Sequence, residues 1–348
     1  MIRQHLPFVH RASVVLYDRS TDLLKTFVAS GEDNPVDHYQ ARLADSASLK
    51  RMVESRRPRV INDLTLLEGG HSRPAQGLLA AGYRASYAFP MFHGNRLFGI
   101  LFFNSREAGV FKEGVLQDLA MLSHMITLLV INEVSTLRTL TGALKTASCL
   151  TRHRDWETGS HLERMARYAR LIARSLAEFG DLSDEFVEHL FLFAPLHDLG
   201  KLAVPDRILL KPGPLTPAER REMECHPVTG REMVDSMLEN FGLESLSYAT
   251  MLRNVVEFHH EAMDGSGYPH GLKGEEIPVE ARIVAVADVF DALTSSRPYK
   301  QAWSNEEAFA ELRRMARSRL DPACVEALLR APDEVEEIQR TFREDGLG

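Results

Sequence analysis

The chain has 348 residues and a mass of 39.2 kDa, more than the ~100–200 residues typical of one domain, so two domains are the starting expectation. With 44% hydrophobic and 26% charged residues it has material for packed cores, which excludes wholesale disorder and low-complexity polymers. The net charge of -8 disfavours binding a polymeric nucleic acid through a diffuse basic field, while leaving room for a small phosphate ligand held by local cations. Cys149, Cys225 and Cys324 lie far apart with no CxxC, which excludes a disulfide framework, a zinc ribbon and a thiolate iron–sulfur site. The N-terminal segment lacks an apolar core, and polar residues interrupt the apolar stretches well before ~18 positions, so a soluble cytoplasmic protein without a membrane span is expected.

The first hundred residues alternate short β-like runs with turns: ASVVLY (12–17), LLKTFVAS (23–30), RPRVIND (57–63), ASYAFPMF (85–92) and LFGILFFN (97–104). Gly94 and Asn95 tolerate positive φ, which marks 93–95 as a hairpin. Helix formers across 41–55 interrupt the strands, giving an α+β first domain.

From Phe111 the period becomes helical, and no proline occurs up to Leu150. Leu119, Ile126, Leu140 and Ala147 recur at heptad multiples, and Leu122 and Leu129 add a second seam broken at Glu133 and Thr136. The spacing predicts a continuous or nearly continuous helix that also pairs two protomers; two separate packed helices are the alternative. Beyond residue 150 the chain is helical, with Gly and Pro gathered in two loops, 203–217 and 263–278. The expected boundaries are 1–130 for the first domain, 131–150 for a helical linker and 151–348 for an all-α second domain.

Eight of the 14 histidines lie between 153 and 270. His197 and Asp198 stand together near the end of the apolar segment VEHLFLFAPL, and a buried imidazole beside a buried carboxylate is costly unless both are paired or bind metal. Glu157 and His161 are four residues apart, on one face if the segment is helical, although Gly159 weakens the helix. His226 precedes a helix, His259 and His260 end another, and Asp288 lies in the apolar run ARIVAVADVFDAL, where its carboxylate would be buried without a partner. Eight N and O donors with no thiolate suit two or three divalent transition ions, iron or manganese ahead of zinc. Cys225 reads as a small buried hydrophobe, and His153, His189 and His270 as structural or surface residues.

The pattern H…HD…D resembles the HD metal-dependent phosphohydrolase superfamily, and HDLGK (197–201) followed by HHEAMDGSGYP (259–269) resembles the HD-GYP cyclic di-GMP phosphodiesterases. The resemblance runs from about Arg154 through DALTSSRPYK to LDPACVEALL. It implies a helical bundle that hydrolyses cyclic di-GMP to pGpG or onward to GMP. By motif position it implies His197, Asp198, His226, His259, His260 and Asp288 as metal ligands, with Asp198 bridging ions, and Glu157 and His161 as residues matching members that hold a third ion. Lys201, a turn from His197, can reach a phosphate oxygen; its alternative is a solvated lysine. Gly267, Tyr268 and Pro269 form the signature loop, where the resemblance places Tyr268 on the substrate side or in loop ordering and leaves room for a partner protein. Arg297 and Lys300 match positions that bind cyclic di-GMP phosphates; a solvated pair is the alternative for both. Two rival readings are a non-catalytic binding module and a phosphohydrolase of another nucleotide.

Residues 12–130 look like a GAF domain, a small-molecule or dimerisation module, carried by RRPRVINDL and YAFPMFHGNRLFGILFFNS. The usual opening helix is expected to be short or absent. No residue cluster there indicates a haem, iron–sulfur or cyclic-nucleotide site.

Overall fold

The computed structural model describes residues 6–31, 35–36, 38, 40–67, 73–180 except 151–158, 182–244, 248–295, 301–316 and 318–343. The chain divides into two compact units, residues 1–136 with 183–185, and residues 137–182 with 186–348.

The first unit is built on six antiparallel strands: β1 (Arg11–Asp18), β2 (Leu23–Ser30), β3 (Gln40–Arg42), β4 (Arg59–Ile61), β5 (Ala85–His93) and β6 (Arg96–Ser105). Their order is β3-β2-β1-β6-β5-β4. The expected hairpin joins β5 to β6, with Gly94 at φ 61. Alternation separates two packed faces. One carries Val14, Leu16, Tyr87, Phe89, Leu101 and Phe103 in a core shared with Leu119, Val130 and Val134. The other carries Leu24, Ala88 and Ile100 against Leu43 and Met52.

Two details depart from the sequence reading. Residues 41–46 are not helical: β3 and a 3-10 turn (Leu43–Asp45) occupy them, and helix α1 (Ala47–Ser55) starts where the Ser46 hydroxyl accepts from the Leu49 N–H. Helix α2 (Arg73–Ala80), in RPAQGLLA, was not anticipated.

Helix α3 (Glu113–Leu150) runs unbroken for 38 residues. Leu119 is fully buried in its own unit, Leu140 is nearly so, and Met121, Met125, Leu128 and Leu129 are exposed. The expected seam is therefore corrected at Leu119, whose face is taken by the sheet. The expectation about apolar stretches is also corrected: Glu113–Ala143 is long and apolar enough to cross a membrane by length and composition, with mean hydropathy 1.7. Its polar interruptions are too mild to lower that mean. Ser123 and Thr127 of the same span are buried.

The second unit is helical, with α4 (Gly159–Ala177), α5 (Asp184–Phe193), α6 (Asp206–Leu209), α7 (Pro217–Met223), α8 (His226–Phe241), α9 (Ala249–Phe258), α10 (Val279–Thr294), α11 (Asn305–Met315), α12 (Pro322–Leu329) and α13 (Pro332–Thr341). Met165, Tyr168, Ala169 and Ile172 put α4 in the core beside Phe193, Val255, Val284 and Phe290. The arginines of RMARYARLIAR are sheltered with it and each has a partner. Arg164 meets Asp291 at 2.7 Å, Arg170 meets Glu188 at 2.6 Å, and Arg167 lies over the Phe191 and Phe342 rings. A core helix with a row of arginines along one face is tolerable because each charge is neutralised or stacked.

Candidate metal centre

His197 and Asp198 occupy a break in the helical frame rather than the end of a long helix. Pro195 lies in a 3-10 turn (Ala194–Leu196) that follows α5, and a second such turn (Leu199–Ala203) follows Asp198. Gly200 makes the break fit, because a Cβ there would lie 2.6 Å from the Gly230 nitrogen and closer still to the His226 carbonyl. The turn is thereby pressed directly onto the first turn of α8, which carries His226.

Seven of the eight sequence-expected donors come together in two groups. Asp198, His226, His259 and His260 form one, His161, His197 and Asp288 the other, with donor atoms inside each group within 4.8 Å of one another. Asp198 faces both groups. Its Oδ1 is 3.0 Å from His226 Nε2 and 3.6 Å from His259 Nε2, while its Oδ2 is 3.1 Å from His197 Nε2 and 2.6 Å from Lys201 Nζ. Asp288 Oδ1 lies 4.0 Å from His161 Nε2 and 3.9 Å from His197 Nε2. Glu157 lies outside the described residues, as do His153, Arg154, Arg297 and Lys300.

Three histidines are oriented by one backbone device. The Nδ1 of His197 lies 3.0 Å from the Ala194 carbonyl, that of His226 2.9 Å from Met223, and that of His259 3.0 Å from Val256. In each case the carbonyl belongs to the residue three positions earlier. A neutral ring then donates from Nδ1 and presents the Nε2 lone pair to the site, which is the tautomer a metal ligand requires. His161 is fixed differently, by Asp291 Oδ2 at 2.7 Å from its Nδ1. Arg164 grips the same carboxylate through Nε and Nη2 at 2.7 and 2.9 Å, and the Ser295 hydroxyl donates to it at 2.9 Å.

Sequence reasoning missed Asp291 and Arg164, although each stands three residues after a donor on the same helix. It also took Asp288 for the buried carboxylate of α10. Asp291 is fully buried, whereas the Asp288 side chain retains 23% exposure.

The electrostatics favour cation binding. Burial alone raises the Asp198 pKa, but Lys201, His197 and the His226 hydrogen bond outweigh it and hold the carboxyl well below its ordinary value. Burial lowers His259 and pushes His260 well down, so both rings are neutral donors at pH 7. The donor set, imidazole nitrogen and carboxylate oxygen with no sulfur, therefore fits divalent transition ions.

The signature loop lies against this cluster. The Tyr268 ring centroid is 4.7 Å from that of His260, and its N–H donates to the His260 carbonyl at 3.2 Å. Burial raises the Tyr268 pKa, so the phenol stays protonated and is no general base. A Cβ at Gly267 would meet the 260–262 backbone at 2.5–2.6 Å, with the Ala262 nitrogen nearer still. Glu261, unremarked in the sequence, is buried and fastens the far side of the loop: Oε1 accepts the His270 N–H at 2.7 Å and Oε2 the Leu272 N–H at 2.9 Å.

Of the residues set aside as structural, His189 is buried and stacks on Tyr248, and His270 is exposed beside Glu257. Cys225 is exposed rather than buried, a correction that follows from its place between α7 and α8, where its thiol reaches the Arg221 carbonyl.

Residues 157–324 match the HD domain family and residues 2–130 the GAF domain family. The chain is 48% identical over 190 residues to the cyclic di-GMP phosphodiesterase response regulator RpfG of Xanthomonas campestris, covering 55% of this chain and 47% of that protein. It is 39% identical over 217 residues to a cyclic di-GMP phosphodiesterase of Vibrio cholerae, covering 61% and 43%. A 3'3'-cGAMP-specific phosphodiesterase 2 of the same organism is 38% identical over 181 residues, covering 52% and 33%. The matched region thus spans less than half the length of each of these relatives.

Proposed function

We propose that this chain, a GAF domain joined to an HD domain, is a metal-dependent phosphodiesterase that hydrolyses cyclic di-GMP to pGpG or GMP in the cytoplasm. The observation that carries the reading is Asp198, whose two oxygens face two separate groups of histidine and carboxylate donors. In this reading Asp198, His226, His259 and His260 would hold one ion and His161, His197 and Asp288 another, with Asp198 placed to offer an oxygen to each. Glu157 would join the His161 group or a third ion. Iron or manganese suits the donors best. When bound, such ions lower the pKa of a coordinated water and clamp phosphate oxygens.

The chain's own residues do the rest. Ala194, Met223 and Val256 hold three imidazoles in the donor tautomer through their carbonyls. Lys201, beside Asp198 Oδ2, supplies an ammonium that can turn to a non-bridging phosphate oxygen as charge develops there. Tyr268, protonated and packed on His260, forms a wall against which a guanine or its ribose can lie. Arg297 and Lys300 serve as the phosphate clamp, so Arg297→Ala should raise KM and leave the metal content unchanged.

A second cyclic dinucleotide is a real competitor, because one of the relatives acts on 3'3'-cGAMP by its name. The deciding experiment incubates iron- or manganese-loaded protein with cyclic di-GMP and with 3'3'-cGAMP and separates the products. Formation of pGpG or GMP supports the proposal. Faster hydrolysis of 3'3'-cGAMP replaces the substrate, and binding without turnover leaves a receptor instead.

We further propose that α3 pairs two protomers through Met121, Met125, Leu128 and Leu129, the apolar side chains its own domain leaves exposed. Between Leu119 and Val134 the opposite face of the helix packs against the first domain's sheet.

A further inference from the structure

One stripe of α4 is covered by α13 and the two residues that follow it. Ser160, Arg164, Arg167 and Arg174 recur at helical spacing and so share a face. Glu334, in the first turn of α13, accepts from Arg174 Nη2 at 2.6 and 2.8 Å. Past the other end of α13 the Phe342 ring lies 4.1 Å from the Arg167 guanidinium, its carbonyl accepts from Arg164 Nη1 at 3.0 Å, and the Arg343 carbonyl accepts from the Ser160 hydroxyl at 3.2 Å. Helix α13 thus runs antiparallel to α4 and delivers its end to the turn that carries His161. The Phe342 N–H donates to the Ile338 carbonyl at 3.0 Å, and Val335 is buried in the core, so the two residues are anchored through the helix before them.

These contacts converge behind a single metal donor. Arg164 gives Nη1 to Phe342, holds Asp291 through Nε and Nη2, and also donates from Nη2 to the Ser295 hydroxyl at 2.6 Å. Asp291 Oδ2 in turn lies 2.7 Å from His161 Nδ1. Because a guanidinium is planar and rigid, a shift at Nη1 carries Nε and Nη2 with it, and the carboxylate and imidazole must follow. His226 and His259 are oriented instead by the Met223 and Val256 carbonyls, each within its own segment. The end of α13 therefore bears on the His161 group and not on the Asp198, His226, His259 and His260 group.

We propose that Phe342 and Arg343 form a positioning strap for the metal centre: they fix Arg164, Arg164 fixes Asp291, and Asp291 keeps the His161 ring aimed into the group it shares with His197 and Asp288. The inference rests on the reading of that group as an ion site. Its consequence is asymmetric, since loosening the strap should weaken one ion and spare the other.

The test titrates manganese calorimetrically into metal-free, full-length protein. Phe342→Gly combined with Ser160→Ala removes the ring from Arg167 and the donor from the Arg343 carbonyl. One of two manganese sites should weaken about tenfold or more, as when an outer partner of a ligand is lost, while the other is unchanged. His161→Ala identifies the affected site, and the manganese resonance spectrum should change from that of a coupled pair to that of an isolated ion. Phe342→Leu, which removes only the stacking, should weaken the same site by a smaller factor, and Phe342→Tyr should retain both. Arg174→Gln loosens α13 at the opposite end of the stripe; it should lower the melting temperature and leave the ratio of the two affinities as it was. Unaltered affinities in the double variant, equal weakening of both sites, or the same selective loss in Arg174→Gln would overturn the strap. Wild-type protein that binds no manganese would overturn the ion site itself, and the strap with it, a result distinguishable because it needs no variant.

Discussion

Replacing Glu261 by Gln tests whether the signature loop is held by one buried carboxylate. Each Glu261 oxygen accepts a backbone N–H, from His270 at 2.7 Å and Leu272 at 2.9 Å, in a buried setting. Glutamine offers one carbonyl oxygen, so one N–H is retained and the other faces an amide donor. Hydrogen bonds to a charged group are worth about 1.5–3 kcal/mol, and an unsatisfied buried donor costs about 1–3 kcal/mol, so a loss of ~2–4 kcal/mol is expected. At ~2–4 °C per kcal/mol for a domain of this size, the second domain's transition should fall by about 4–16 °C. Because Gly267 and Tyr268 sit on the 260–262 backbone, loosening the loop displaces the Tyr268 ring from His260. The kinetic expectation is a lower kcat/KM for cyclic di-GMP with normal metal content, since no donor of either group is altered. Calorimetric melting, metal analysis and steady-state kinetics on one preparation supply all three readouts. Unchanged melting and kinetics would refute the loop-fastening role, and loss of metal would show that Glu261 acts through His260 instead.

Asp198→Ala should remove both ion occupancy and turnover, since its oxygens face both donor groups; normal activity would exclude the bridge. Asp291→Asn should cost about 3–5 kcal/mol in denaturant unfolding by leaving Arg164 buried without its counter-charge, with partial recovery when Arg164→Met is added; additive losses would dismiss the coupling. His259 and His260 have folded pKa values below the ordinary 6.5, so below that pH the unfolded metal-free chain binds more protons than the folded one. Its stability should therefore rise with pH up to ~6.5 and fall on acidification, by at most ~1.4 kcal/mol per pH unit per histidine; a flat urea-midpoint profile from pH 5 to 7 would contradict this. Met125→Glu with Leu128→Glu should convert a sedimenting dimer to monomer without changing metal content, whereas Leu119→Glu should disrupt the first domain itself.

Much of the architecture was legible because it depends on local patterning. Five strands, the Gly94 hairpin and the long helix follow from alternation, turn chemistry and a proline-free helical period. Seven donors were legible because unusual residue types cluster in short motifs. What escaped depends on facing rather than on composition. Leu119 fits a heptad seam as well as it fits a sheet-packing stripe, and only the sheet decides between them. Asp288 and Asp291 are equivalent by sequence, yet α10 turns Asp291 inward to Arg164 and leaves Asp288 at the rim. Helix α2 was hidden by a central Gly77 and by Pro74, which is well placed in a first turn.

The backbone break at His197–Asp198 explains how two adjacent residues can serve different groups. Asp198 has φ -95 and ψ 16, outside the helical wells of its neighbours, so its carboxylate turns between His226 on one side and His197 on the other. A regular helix would carry successive side chains on around the axis and would not fold the carboxylate back over the preceding imidazole. The break survives because Gly200 lets the next turn lie against the His226 carbonyl and Gly230 receives it on α8. These two glycines thus set the spacing between HD and His226 as firmly as any ligand does. A methyl group at Gly200 would meet backbone on α8, which cannot yield as a flexible side chain can, so the strain would separate Asp198 from His226 before it changed either residue's chemistry.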